Sequence, residues 1–289
     1  MLDLPGTDLR VPDLPAAVED LLAPALAVYA GTPPVVSVLL AAADGAVLLD
    51  RDARRRHSSA SLLKLPVALT VARLVDAGRV GLNTELALHN SFPSVAGGSF
   101  RCDPREDADP ALYARLGASA PVRELLHRML AWSSDLATNV LLGVTAPSEV
   151  TATATELGAE DVCISRYICD VAGLALGAPN ELSATDAARL LLALHGGRAA
   201  RPETGALLLA ALQDQRFGTE IPLGLPPGTP VAHKTGWTSE VLHDAALVLP
   251  ADAAPYVLAV LTSGFADQPT ARRLLRGIAA LSHRAVGNA

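Results

Sequence analysis

Ser61-Leu62-Leu63-Lys64 and His233-Lys234-Thr235-Gly236 contain the only two lysines in this chain of 289 residues. An arginine guanidinium keeps its proton in proteins, whereas a buried lysine amine can release its proton and act as a base. Arginine, which is common in the rest of the chain, could therefore not replace a lysine that works as a base. These two tetrapeptides are the strongest candidates for chemistry, and the rest of the sequence is interpreted around them.

The first tetrapeptide stands at the start of a predicted helix that ends at Gly78. Residues three apart on a helix are neighbours, so Ser61 and Lys64 are expected to share a face. The helix N-terminus also directs backbone N–H groups toward an anion. A hydroxyl beside an amine base suits nucleophilic catalysis. The alternative is a serine that only caps the helix, with an unrelated surface lysine.

The second tetrapeptide is predicted to lie on an edge strand that ends at Gly236, where a ligand can approach the backbone closely. The Lys234 ammonium and the Thr235 hydroxyl would hold a substrate carboxylate. The backbone N–H of Trp237 would join that of Ser61 as an oxyanion hole. The expected partner is therefore a small molecule that carries a carboxylate.

Turn signals and apolar spacing predict a mixed α and β organisation. Asp44-Gly45 marks a hairpin between the first two strands, and Ser183 with Asp186 marks a helix start. Predicted helices span residues 14–29, 61–78, 122–130, 135–143, 149–157, 183–195 and 270–283. Predicted strands span residues 35–40, 46–50, 230–235, 244–249 and 256–262. This order predicts one sheet built from both ends of the chain, with a helical lobe inserted.

Composition narrows the function classes. Half of the residues are apolar and 18% are charged, as in a globular protein. The net charge of −7 argues against a nucleic-acid or anionic-membrane surface. Cys102, Cys163 and Cys169 lack paired spacing, which fits a reducing compartment. Without a leader-like N-terminus or an apolar run of about 20 residues, a cytoplasmic location is expected.

Residues 89–121 form a Pro-, Gly- and Asp-rich stretch that is too long for an ordinary connection. Its acidic residues are expected on a solvated surface, because the stretch lacks the glycine and terminal glutamate of a calcium loop. They are Asp103, Glu106, Asp107 and Asp109. No metal and no cofactor is assigned.

With both lysine motifs in place, the chain resembles the serine β-lactamase and penicillin-binding protein superfamily, and most of all class A β-lactamases. The resemblance runs from about residue 20 to the C-terminus and includes the segments 243–248 and 271–275. It implies an α+β fold with a five-stranded antiparallel sheet, N- and C-terminal helices and an inserted all-helical lobe. One domain over residues 1–289 is expected, with a sheet lobe at about 14–58 and 213–289 and a helical lobe at about 59–212.

The middle motif of the family, serine-aspartate-asparagine, is altered here. One alignment puts Ser133-Ser134-Asp135 over it, so that Ser133 relays protons between the lysines and Asp135 replaces the asparagine on the substrate side. The other alignment starts the motif at Ser134 and ends it at Leu136. The first is preferred. An aspartate facing Lys64 would favour the ammonium form of that lysine. The alternative role for Asp135 is a helix cap.

A second departure concerns the loop that carries the water-activating glutamate in class A enzymes. Arg166-Tyr167 matches the start of that loop, and the glutamate position falls at Ile168. Asp170 is the nearest carboxylate, and it is expected on the surface. The sequence therefore supports acylation better than rapid deacylation.

These inferences predict a serine hydrolase that forms an acyl-enzyme at Ser61 and hydrolyses a β-lactam or a related amide or ester, with slow deacylation as a further expectation. Two alternatives remain open. One is a penicillin-binding sensor that stays acylated. The other is an amidase, esterase or cyclase of specialised metabolism that uses the same serine.

Overall fold

The computed structural model describes residues 13–287, and its centre is a five-stranded antiparallel sheet. Apolar side chains cover both faces of this sheet. In the strand at Val35–Ala42, Val38 and Leu40 join one buried cluster while Leu39 joins the other. Because successive side chains point to opposite faces, a strand buried on both sides is apolar throughout.

The strands and helices of the described part are numbered in chain order. The strands are β1 (Val35–Ala42), β2 (Val47–Arg51), β3 (His57–Ser58), β4 (Glu85–Ala87), β5 (Phe92–Pro93), β6 (Ser99–Phe100), β7 (Ser119–Pro121), β8 (Cys163–Ile164), β9 (Asn180–Leu182), β10 (Val231–Trp237), β11 (Val241–Val248) and β12 (Tyr256–Ser263). The α-helices are α1 (Leu14–Leu26), α2 (Lys64–Asp76), α3 (Val122–Ala131), α4 (Asp135–Leu142), α5 (Pro147–Glu156), α6 (Val171–Ala175), α7 (Ala184–His195), α8 (Pro202–Gln213) and α9 (Gln268–Gly287). Three 3₁₀ segments span Ala60–Leu63, Pro110–Arg115 and Ile221–Gly224.

The sheet order is β10-β11-β12-β1-β2, so strands from both ends of the chain lie side by side. Helices α1 and α9 cover one face, and the buried helix α7 packs on the other. The helices between β3 and β10 extend from that second face into a second apolar cluster. The expected α+β fold with its five-stranded antiparallel sheet is confirmed, and β10 is an edge strand, as the sequence predicts.

Most predicted elements form, with shifted ends. The hairpin turns at Gly45, whose φ of +92° is the conformation that glycine adopts without strain. Ser183 caps α7 and exchanges hydrogen bonds with Asp186, as predicted. Strand β11 begins three residues earlier than predicted, and α8 was not predicted. The run of three leucines in α8 obscures the helical period.

Only half of the acidic stretch follows the prediction of a solvated surface, since Glu106 is exposed and Asp103 partly exposed. Asp107 and Asp109 are both buried. Asp107 accepts hydrogen bonds from the backbone N–H groups of Asp135 and Leu136, at 3.0 and 2.9 Å, and so holds the start of α4. Asp109 forms a two-oxygen ion pair with Arg128 of α3. Buried carboxylates need such partners, and a charge pattern alone does not reveal them.

Among residues 13–287, no helix is long and apolar enough to cross a membrane. The cytoplasmic location stays a prediction, as does the division of one domain into a sheet lobe and a helical lobe.

Candidate active site

Ser61 lies in the 3₁₀ turn that leads into α2, at the floor of a cleft of about 270 Å³. This cleft is here called the Ser61 cleft. The residues that line it include Ser61, Asp135, Ile168, Cys169 and Trp237. The preceding residue, Ala60, has a φ of +42°. A non-glycine residue pays for this conformation with strain, and such strain often accompanies function. The turn presents the Ser61 hydroxyl to the cleft.

Lys64 is the first residue of α2, and its side chain is fully buried. Its Nζ donates to Ser61 Oγ at 2.9 Å and to Asp135 Oδ1 at 2.6 Å. It also contacts Ser133, at 2.7 Å from the carbonyl oxygen and 3.1 Å from Oγ. Lys64 thus joins the candidate nucleophile to the altered middle motif, and Asp135 compensates its charge.

Ser133 lies between the two lysines of the chain. Its Oγ accepts from Lys64 Nζ and from Lys234 Nζ, each at 3.1 Å. The neighbouring Ser134 is buried and caps α4 by accepting from Ala137 N. This geometry matches the preferred alignment, in which Ser133 begins the motif.

Lys234 lies on β10 and is buried completely. Burial, followed by the positive charge of Lys64, holds the pKa of Lys234 well below its usual range. Besides its contact with Ser133, its Nζ donates to Thr235 O at 2.8 Å. Thr235 Oγ1 is buried and has no hydrogen-bond partner within residues 13–287, which is unusual for a buried hydroxyl. The ammonium lies behind the cleft wall rather than in the opening.

The end of β10 packs directly on the Ser61 turn. A Cβ placed on Gly236 would lie 3.0 Å from Ser61 N and 3.2 Å from Leu62 N. Only glycine permits this approach, because a side chain on its Cα would collide with the backbone of the Ser61 turn. The next residue, Trp237, is 38% exposed, and its ring packs at a tilt of 58° against that of Phe217, with centroids 5.0 Å apart. Ser61 N–H and Trp237 N–H thus belong to segments in contact.

Asp135 is the only carboxylate among the described residues that line the Ser61 cleft. Its side chain is 19% exposed. While Oδ1 meets Lys64, Oδ2 accepts from Cys169 Sγ at 3.6 Å. Asp135 is the first residue of α4 and faces the cleft, and the alternative role of helix cap is wrong for Asp135, because Ser134 is the cap.

The loop at 166–170 brings an apolar residue to the cleft wall. Asn139 of α4 binds the backbone of Ile168 on both sides, donating to its carbonyl and accepting from its N–H, each at 3.0 Å. Cys169 follows with a φ of +67°. A hydrogen bond with Cys102, then burial and the charge of Asp135, raise the pKa of the Cys169 thiol, which disfavours the thiolate.

Asp170 is not the surface residue that the sequence predicts. It is completely buried. It accepts from Ser94 Oγ at 2.8 Å, Val95 N at 3.0 Å and Gly173 N at 2.9 Å. Burial alone would raise the pKa of Asp170, but these hydrogen bonds and Arg166 outweigh it and hold the pKa below its usual value. Asp170 ties the 94–95 turn to α6 and does not line the Ser61 cleft.

Comparison with protein families gives a match to the beta-lactamase enzyme family over residues 17–286. The chain belongs to this β-lactamase family. It is a serine hydrolase of the β-lactamase type. No curated protein matches the sequence.

Solved structures share the fold of this β-lactamase family member at low sequence identity. A β-lactamase from Sphaerobacter thermophilus is 24% identical, with a TM-score of 0.79 over 96% of this chain and 97% of the other. A mutant of the class A β-lactamase of the last common ancestor of Gram-negative bacteria is 21% identical, with a TM-score of 0.79 over 94% and 98%. A PBP-A mutant, solved as an acyl-enzyme complex with penicillin G, is 21% identical, with a TM-score of 0.77 over 95% and 98%.

Strain is concentrated around the β-lactamase site. Among the described residues, four that are not glycine have positive φ: Asp52, Ala60, Ser133 and Cys169. Three of these adjoin the Ser61 cleft or the lysine pair. Such conformations persist only where surrounding contacts enforce them. Sequence reasoning found Ser133 by alignment, but the strained position of Cys169 carries no local signal.

Two buried histidines support the Ser61 turn from below. Since His243 Nδ1 accepts from Thr262 N at 3.1 Å, its Nε2 donates to Ser58 O at 2.8 Å. His57 Nε2 pairs with Ser37 Oγ at 2.9 Å. Burial lowers the pKa of His243 to about 4 and, with the charges of His243 and Arg55, that of His57 to about 3. Both rings are therefore neutral near pH 7.

Proposed function

We propose that this protein forms an acyl-enzyme at Ser61 with β-lactams and releases the product slowly. One observation carries the proposal: hydrogen bonds run without a gap from Ser61 through Lys64 and Ser133 to Lys234. That chain begins at the floor of an open cleft. It supplies a nucleophile, a base and a route for the proton, which are the parts that acyl transfer requires.

Acylation begins with a proton shift between the lysines. Two ammonium groups on one hydroxyl repel each other, and burial followed by the charge of Lys64 lowers the pKa of Lys234, which favours Lys234 as the proton acceptor of the pair. Lys64 passes a proton to Ser133, and the proton of Ser133 moves to Lys234. The neutral Lys64 then takes the proton of Ser61 as its oxygen attacks the acyl carbon. Ser133 gives its proton to the leaving nitrogen and recovers one from Lys234, so that Lys64 is left as the ammonium and Lys234 as the amine.

The same proton shift serves substrate recognition. Once charged, Lys234 lies beneath the hydroxyls of Ser133 and Thr235 and attracts the substrate carboxylate toward them. The free Thr235 Oγ1 donates to that carboxylate. The N–H groups of Ser61 and Trp237 stabilise the charge that develops on the acyl oxygen. Asp135 occupies the position from which the family asparagine would donate to substrate, and as a carboxylate it donates nothing there.

Deacylation is the slow half of the reaction. Ile168 places a hydrocarbon where class A enzymes are expected to hold a glutamate, and Asp170 is buried in contacts of its own. A missing general base costs about 10²- to 10⁴-fold in the step it serves. This favours the sensor-like alternative, in which the acylated state persists. The acyl-enzyme of the PBP-A mutant with penicillin G is the species proposed here at Ser61.

Intact-mass measurement tests the proposal. The protein is mixed with a fluorescent penicillin and, in parallel, with simple esters, and the mass gain is followed against time. A stable adduct with penicillin that is absent in Ser61→Ala supports acyl-enzyme formation. Labelling by esters alone would instead support the amidase or esterase alternative, and no labelling by either would refute the assignment of Ser61.

A further inference from the structure

We propose that Asp135 is the base that activates water for deacylation, an inference that rests on the proposed acyl-enzyme at Ser61. The structure assigns this role by elimination and by position. Within residues 13–287, every other residue that lines the Ser61 cleft lacks a carboxylate. Ile168 is apolar, and both oxygens of Asp170 are engaged with the 94–95 turn and α6.

The distances allow one water molecule between Asp135 and the acyl group. Lys64 Nζ lies 2.9 Å from Ser61 Oγ and 2.6 Å from Asp135 Oδ1. The two oxygens are therefore separated by at most about 5.5 Å, even if the two contacts are collinear. A water that hydrogen-bonds two oxygens at roughly 2.8 Å each spans such a gap.

Asp135 keeps room for that water. A carboxylate offers about four acceptor sites on its two oxygens. Lys64 occupies one on Oδ1 and the Cys169 thiol one on Oδ2. The side chain is 19% exposed toward the cleft, whereas the lysine beside it is not exposed at all. The carboxylate can thus meet water that Lys64 cannot reach from its buried position.

The proton balance closes within this group. Asp135 takes a proton from water while the water oxygen forms a bond to the acyl carbon, and the carbonyl electrons move onto the acyl oxygen. When the carbonyl re-forms, the bond from carbon to Ser61 Oγ breaks, and Oγ takes a proton from the Lys64 ammonium. Lys64 recovers a proton from Asp135. Ser61, Lys64 and Asp135 end as they began, and one water has been consumed.

This role accounts for a feature that acylation does not use. The ion pair with Asp135 holds Lys64 Nζ beside Ser61 Oγ, where it can act as the acid that reprotonates Ser61 in the second step. Because Lys64 also occupies an acceptor site of the carboxylate, Asp135 has less capacity to bind and deprotonate water, so deacylation through Asp135 is slow. Slow release and dependence on Asp135 are expected together.

The test separates the two half-reactions. Fluorescent penicillin labels the full-length protein, excess unlabelled penicillin then blocks relabelling, and loss of the label gives the deacylation rate. Asp135→Ala should still be labelled but should release the product at least 10²-fold more slowly. Sodium formate is a carboxylate small enough for the space that alanine leaves. Adding it should raise the deacylation rate of Asp135→Ala at least tenfold.

Matched variants exclude trivial explanations. Asp135→Asn should deacylate as slowly as the alanine variant and should gain nothing from formate, because the amide fills the space. Ile168→Ala opens the same cleft without removing a carboxylate, and formate should not change its rate. A deacylation rate of Asp135→Ala within threefold of wild type, or a loss that formate does not restore, overturns the role. Failure of wild type to be labelled refutes the acyl-enzyme itself, a separate result.

Discussion

Replacing Gly236 by alanine should impair acylation while the fold survives. The added Cβ would lie 3.0 Å from Ser61 N, and 3.2 Å from Leu62 N and the Cβ of Ala60, where ordinary contacts begin at 3.4 Å. All three are backbone atoms or atoms bonded to it, so no side chain can turn away. The end of β10 must move from the Ser61 turn by about 0.4 Å, the difference between the shortest of these contacts and an ordinary one.

That shift separates the N–H groups of Ser61 and Trp237, which we propose as the oxyanion donors. Loss of one such donor costs about 10²- to 10³-fold, and a displacement of about 1 Å near reacting groups costs about 10²-fold. A shift of half that size should slow acylation by roughly ten- to a hundredfold. The burst of chromogenic cephalosporin hydrolysis in a stopped-flow instrument measures this rate, and thermal unfolding measures the fold.

Gly205→Ala is the matched control. Its Cβ would meet only Leu194 Cδ1, at 3.8 Å, in the interior of α8. Alanine there should raise the unfolding free energy by about 0.5–1 kcal/mol and leave acylation unchanged. If Gly236→Ala acylates within threefold of wild type, the packing of β10 on the Ser61 turn does not set the geometry of the oxyanion hole.

Four further outcomes are expected. Ser61→Ala should abolish covalent labelling at a cost of about 1 kcal/mol in stability, and retained labelling by mass spectrometry would exclude Ser61 as the nucleophile. Lys64→Arg should acylate nearly as slowly as Lys64→Ala, since a guanidinium cannot give up its proton, so a near wild-type rate would leave Lys64 only an electrostatic role. Ile168→Glu should speed deacylation more than acylation in pre-steady-state kinetics, and an unchanged ratio would contradict the aligned loop. Because burial depresses the pKa of His57 to about 3, against about 6.5 when unfolded, only the unfolded chain gains this proton as pH falls below 6.5. The unfolding free energy should therefore drop by about 2 kcal/mol from this group between pH 7 and pH 5, so urea titration should find a total drop that is larger by this amount in His89→Gln, which alters an exposed ring, than in His57→Gln.

The sheet was predictable because its signals are local. In β1 an apolar run that only Ser37 interrupts predicts a strand, and Asp44-Gly45 marks the turn that follows. Likewise, the side chains of Ser183 and Asp186 exchange hydrogen bonds within one helical turn, so that four residues are enough to reveal the helix start. Such features depend on neighbours in sequence, which a single chain displays.

The wrong predictions of surface exposure have a common physical cause: the hydrogen-bond partners of these carboxylates lie far away in the sequence. Asp107 and Asp170 lie in loop segments, where aspartates are usually exposed to solvent, yet each is buried. Asp107 stabilises the start of α4, 28 residues away, and Asp170 accepts from the 94–95 turn, 75 residues away. A buried carboxylate is tolerated only with such partners. Their identity depends on the completed fold.

The candidate site was predictable at its two lysines but not in its charge balance. Alignment assigned Ser133 and Asp135 their places, and the structure brings Ser133 between Lys64 and Lys234. The alignment could not reveal that Asn139 holds the backbone of Ile168 with two hydrogen bonds. This attachment fixes an apolar residue at the cleft wall, so a carboxylate built at position 168 would have a defined location.

The aspartate in place of the family asparagine changes how many protons the site holds. Lys64 with Asp135 is a neutral pair, and burial beside Lys64 favours the neutral form of Lys234. In the mechanism proposed above, positive charge for a substrate carboxylate develops when a proton reaches Lys234 through Ser133, which is also the event that frees Lys64 to act on Ser61. In this mechanism one proton movement both charges Lys234 for carboxylate binding and activates the nucleophile. The ion pair between Asp135 and Lys64 opposes that movement. After the acyl group has formed, Asp135 serves as the base for water.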